Sequence, residues 1–178
     1  MSMAGQAADR EGVDRLFGLA YEELRRLAAV VRRGDPGLTL TPTALVNEAW
    51  LKLSASPELG QLPRLQFKRI AAHAMRQVLV EAARRRTAEK RGGGRELVTF
   101  DEALDHPAAA PEDLLLLHDA LDALAAANPR QALMVESRFF GGLEIPEIAE
   151  LLGVSEATVL RDWRAARAWL AHELRQPS

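Results

Sequence analysis

Cysteine is absent from the 178 residues, which excludes a disulfide scaffold, a thiolate zinc site and a cysteine nucleophile. Aromatic residues make up only 5% and include a single tyrosine. Alanine and leucine fill the apolar share instead, and this favours helices over a β-sandwich or barrel. No apolar run approaches the length of a bilayer-spanning helix; the longest block of bulky apolar residues is Leu114 to Leu117. The opening stretch MSMAGQAADREGVDR has no apolar segment, so a signal peptide is not expected. What is present, 48% hydrophobic and 27% charged residues, suffices for a buried core in one large or two small domains. The expectation is an all-α, cytoplasmic protein without membrane insertion.

Charge of one sign is missing locally, not globally. From Arg64 to Arg95 there are ten Lys or Arg against two acids, Glu81 and Glu89. From Glu96 to Asn128 there are eight acids and no Lys or Arg. The net charge of −2 therefore says little about partners. A concentrated basic block attracts a polyanion such as nucleic acid. The plain alternative is a solvated helix face.

Apolar residues at 13, 16, 17, 20, 24, 27, 28 and 31 predict an amphipathic helix over 11–33, stopped by RRGDPG at 32–37. Thr41-Pro42 announces a second helix with Thr as N-cap, buried through Leu45, Val46, Ala49, Trp50 and Leu53. A third helix has Phe67, Ile70, Ala71, Ala74, Met75, Val78, Leu79 and Ala82 as its stripe. Lys68, Arg69, Arg76, Arg84 and Arg85 lie off that stripe, on faces expected to be open to a partner. Residues 10–92 read as one helical domain, 93–112 as an acidic linker and 113–175 as a second helical domain. In the second, helices are expected through Leu114–Leu124, over 130–140, over 144–152 and over 155–174. The one weak strand candidate is Glu96–Phe100.

Residues 143–170, LEIPEIAELLGVSEATVLRDWRAARAWL, carry the most specific local signal. A helix-turn-helix needs a small residue where its helices cross, a glycine that takes the left-handed turn, and an aliphatic anchor on the second helix. Ala149, Gly153 and Val159 have that spacing, and Ser155 is a good N-cap. The second helix then presents Ser155, Glu156, Ala157, Leu160, Arg161 and Arg164 outward. The arginines suit guanine edges or phosphates, and Ser155 a phosphate or base. An ordinary αα-corner is the alternative. Arg167 fits a phosphate contact better than a base reader.

Three segments, in order, resemble bacterial sigma factors. TLTPTALVNEAWLKL at 39–53 is similar to their clamp-binding helix, D-L-V-Q-E-x-F-L, with Leu45, Val46, Asn47, Glu48, Trp50 and Leu51 at its positions. FKRIAAHAMRQVLVEAARRR looks like the helix that recognises the minus-ten element. Gln77 falls there where the family often has Asn, Glu81 where it has Asp, and Arg84, Arg85 and Arg86 match its basic end. RQALMVESRFFGGLEIPEIAELLGVSEATV resembles the promoter-binding C-terminal domain. The two-domain length points to the extracytoplasmic-function group.

The resemblance implies a region 2-like and a region 4-like domain, with core RNA polymerase (clamp and flap) and promoter DNA as partners. Arg69, Arg76, Gln77, Arg84, Arg85 and Arg86 would serve the minus-ten element. Ser155, Glu156, Thr158, Arg161, Arg164 and Arg167 would serve the minus-thirty-five element. Opening a promoter requires cations for one unpaired strand and a pocket for a base out of its stack. The basic third helix suits the first and the loop Ser54–Gln66 the second. Asp101, Glu102, Asp105, Glu112 and Asp113 of the linker would mimic a phosphate chain. A helix-turn-helix regulator that binds duplex DNA without polymerase is the alternative reading.

One departure stands out. The family usually carries acids just before the L-V-Q-E core, whereas Thr41, Pro42, Thr43 and Ala44 carry none. The chain resembles a subgroup lacking those acids. A phosphothreonine would restore about −1.5 to −2 charges, with Thr43 the first candidate, then Thr39 and Thr41. A Ser/Thr kinase or an anti-sigma factor is then the controlling partner. His73, His106, His118 and His172 show no metal-ligand spacing, and RGGGR lacks the ending of a phosphate loop. No cofactor, metal or catalytic constellation is expected.

Overall fold

The computed structural model describes parts of 11–28, then 41–89 and 111–175. Helical residues between 11 and 28 form α1. They are followed by α2 (Pro42–Ser54), a short 3-10 helix (Pro57–Gln61) and α3 (Arg64–Glu89). Then come α4 (Pro111–Ala127), α5 (Pro129–Gly141), α6 (Ile145–Leu152) and α7 (Glu156–Glu173). The fold is all-α, with no strand among the described residues. The expected strand at 96–100, Thr39, and nearly all of the expected linker lie outside those residues; residues 111 and 112 belong to α4.

Local chemistry explains the helix boundaries. Thr41 Oγ1 accepts the backbone N–H of Ala44 at 3.2 Å, and Pro42 opens α2. Asn128 caps α5 by accepting the N–H of Gln131, with Pro129 in the first turn. Thus Asn128-Pro129 both ends one helix and starts the next. Gly142, at φ +63°, closes α5 in the left-handed conformation. The neighbouring Gly141 has another role, described below.

One continuous apolar core joins all the helices. Leu45, Val46, Ala49 and Leu53 of α2 are buried in it, as are Phe67, Met75 and Leu79 of α3 and Leu121, Leu124 and Phe140 of α4 and α5. Phe17 of α1 packs on Trp50, ring centroids 4.7 Å apart, and ties α1 to α2. The long α3 lies at the centre. One face meets α2; another, carrying Lys68, Ala72, Arg76, Val80 and Ala83, is also buried. Of its residues, Lys68 and Arg76 were expected to be open to a partner. Instead α4 and α5 pack along α3, and acids on them receive its cations.

Candidate nucleic-acid and polymerase interface

The two helices α6 and α7 meet at Gly153, whose φ of +65° and ψ of +35° are the left-handed values the turn requires. Ala149 is buried beneath that turn, and Ile148 and Val159 are fully buried. Ser155 Oγ accepts the N–H of Thr158 at 3.2 Å and caps α7. Asp162, on the inner side of α7, accepts from Arg130 of α5 at 2.6 Å and fixes the helix against its neighbour. The outer side is left to Ser155, Glu156, Ala157, Leu160, Arg161 and Arg164, all exposed. Thr158 and Arg167 are half-buried. Two arginines three residues apart on the free face of a capped helix match the geometry of a major-groove reader.

The first turn of α2 contains no acidic residue. Thr43 is exposed there, while the Thr41 hydroxyl is engaged in the cap. Leu45 and Val46 are fully buried, so they hold α2 in place and do not form its outer surface. The outer surface carries Asn47 and Leu51, the latter 66% exposed. Glu48 is half-buried and lies 3.8 Å from Arg85; Trp50 is half-buried against Phe17.

The basic helix is divided. Arg84 and Arg85 are exposed, whereas Arg69 and Arg86 are half-buried. Arg76 is only 6% exposed. Its Nη1 donates to Glu136 of α5 at 2.8 Å. Its Nη2 lies 2.7 Å from Asp122 and from the His118 carbonyl, and 2.8 Å from His118 Nδ1, all on α4. Gln77 is exposed but hydrogen-bonded to His73 at 2.9 Å, and His73 Nδ1 bonds Glu136 at 2.9 Å.

That hydrogen bond to Glu136 raises the His73 pKa, against burial and the charges of Arg76 and Arg69. Burial, then the charge of Arg76, lowers that of His118, consistent with its Nδ1 accepting from the guanidinium. Glu136 is pushed up by burial, but hydrogen bonds from His73 and Arg76 outweigh this and hold it below the usual carboxylate value. Neither Glu136 nor Glu147 stands out in the sequence, because each partner lies on a helix distant in the chain.

The fold is all-α and includes a helix-turn-helix, with α6 and α7 joined at the left-handed Gly153. A family model described as ECF sigma factor matches residues 4–176, and the chain belongs to that family. It is accordingly an RNA polymerase sigma factor, whose partners are the polymerase and promoter DNA. No curated protein and no solved structure matched it. Among the described residues, no helix is long and apolar enough to cross a membrane.

Proposed function

We propose that this sigma factor is controlled by phosphorylation at the start of α2, with Thr43 the acceptor. The observation that carries this reading is an exposed threonine on a helical first turn that has no acid. A phosphate at that position adds negative charge where the family ordinarily has carboxylates, and it sits favourably on the positive end of the α2 dipole. Thr41 is the weaker candidate because its hydroxyl caps the helix. Asn47, Glu48, Trp50 and Leu51 then meet the polymerase clamp, with Leu45 and Val46 supporting them from the core. Arg84 and Arg85, with Arg69, Gln77 and Arg86, serve the minus-ten strand, whereas Arg76 is taken up by Glu136 and Asp122. Ser155, Glu156, Thr158, Arg161, Arg164 and Arg167 of α7 serve the minus-thirty-five duplex.

Reconstitution with core RNA polymerase and a cognate promoter tests this. Thr43→Asp should bind core enzyme more tightly than Thr43→Ala, and equal affinities would end the phosphorylation reading. Arg161→Glu should depress initiation at least tenfold on promoters that need the minus-thirty-five element, with core binding unchanged. Loss of core binding in that variant would show that α7 has a different task.

A further inference from the structure

We propose that Leu160 is a specificity-determining residue of α7, an apolar reader that meets the 5-methyl group of a thymine in the major groove. The inference rests on the proposed placing of α7 on the minus-thirty-five duplex and names one group it recognises there. Leu160 is 42% exposed and is the fifth residue of a helix that starts at Glu156. Val159, Ala166 and Leu170 fill the inner side of α7, where each is at most 1% exposed. Successive residues of a helix are turned by about 100°, so Leu160 falls outside that side. Two contacts keep the helix from rolling it inward. Arg130 holds Asp162 at 2.6 Å, and the guanidinium of Arg138 lies 5.4 Å from the centre of the Trp163 ring. Both arginines belong to α5, so a single neighbour fixes the azimuth of α7 through two adjacent residues.

The surface around Leu160 decides what it meets. Its neighbours at i−4, i−3 and i+4 are Glu156, Ala157 and Arg164, and Arg161 follows it in the chain; all four are exposed. Ala165 and Ala168 are exposed further along. Alanines let a helix backbone come close to the groove floor, and the arginines supply the cations that phosphates and guanine edges require. One leucine ringed by charges offers a protein partner too little apolar area. It suits a single methyl group. In the major groove thymine carries that methyl at C5, and the other three bases carry none. Against a G·C edge the leucine displaces water from polar atoms and returns no hydrogen bond. Thymine is therefore favoured and its competitors are penalised. The place along the helix agrees, because the N-terminal residues of a recognition helix are the ones that reach base edges. Leu19 and Leu51, the other large apolar side chains exposed among the described residues, lie on α1 and α2, away from that helix.

Holoenzyme assembled from the wild-type chain and core polymerase can select its minus-thirty-five duplex from a randomised pool. Each thymine of the selected element is then replaced in turn by deoxyuridine, which removes the methyl and keeps the pairing edge. At one position the wild type should lose promoter affinity by about three- to fourfold, the worth of one buried methyl group. Leu160→Ala should bind the thymine promoter more weakly by a similar factor and show no preference for thymine over deoxyuridine there. Alanine at an exposed helical position leaves the fold intact, so the comparison reads contact and not folding. A selected element without thymine, no methyl effect at any thymine, or a methyl preference that survives in Leu160→Ala overturns the proposal. Arg161→Glu separates it from the reading beneath it. If that variant keeps its full dependence on the minus-thirty-five element, α7 is not in the groove and both readings fall. If it loses that dependence while Leu160→Ala keeps the methyl preference, the thymine assignment alone falls.

Discussion

Thr41 and Thr43 lie two residues apart, yet their hydroxyls have different work. The Thr41 oxygen satisfies an N–H that the first turn of α2 would otherwise leave bare, whereas Thr43 stands exposed. Thr41→Ala should therefore destabilise the protein by about 1 kcal/mol. Thr43→Ala should cost much less, as an exposed change that removes no cap. Equal losses in chemical denaturation would mean that the Thr41 cap contributes nothing. Such caps are legible in the sequence because donor and acceptor lie within one turn. Ser155 was readable in the same way. Glu136 was not, since its partners Arg76 and His73 are 60 and 63 residues away.

At the scale of elements, the helical period gave away one buried face of each helix and concealed the other. The apolar stripe from Phe67 to Ala82 is buried in α3 much as its spacing requires, with Ile70 half-buried. Lys68 and Arg76 looked like surface because cations usually are. They are buried because acids from elsewhere in the chain neutralise them, a match no local pattern records. The glycines divide likewise. Gly153 was readable from its spacing to Ala149 and Val159, but the close approach of Gly141 to Ala72 depends on a distant helix. Gly153→Ala should cost roughly 1–2 kcal/mol, because its φ of +65° is strained for any residue with a Cβ. No heavy atom lies within 4 Å of that added Cβ, so the loss is conformational and not steric. A melting temperature lower by a few degrees, with the outward face of α7 preserved in its hydrogen-exchange pattern, is the expected result. An unchanged melting temperature would show the turn to be unstrained.

Over the whole molecule, the individual helices were legible, and their union around one continuous core was not. The shared core and the ion pairs across α3 arise from complementarity between segments whose charges were visible only as separate blocks. The union also has a proton balance. His73 faces Glu136, Arg76, Arg69 and Gln77, and its pKa is raised; His118 faces Arg76, Asp122, Arg84 and Asp119, and its pKa is lowered. Protonated His73 thus stabilises the packed fold at and below the unperturbed value near 6.5, and this contribution fades as pH rises through its elevated pKa. Neutral His118 stabilises the fold above 6.5, and that contribution is lost as pH falls through its depressed pKa. Glu136 and Glu147, both lowered, add stability above 4.5 that is lost on further acidification through their own depressed values. The fold should consequently be most stable near neutrality. His73 is about half exposed, so solvent screens its share. Histidine resonances followed by NMR through a pH titration should give a His73 midpoint above that of His118. In Glu136→Gln the His73 midpoint should fall, because its principal hydrogen-bond acceptor loses its charge while Arg76 and Arg69 still oppose protonation. A His73 midpoint indifferent to that substitution would place Glu136 away from the imidazole in solution, and with it α5 away from α3.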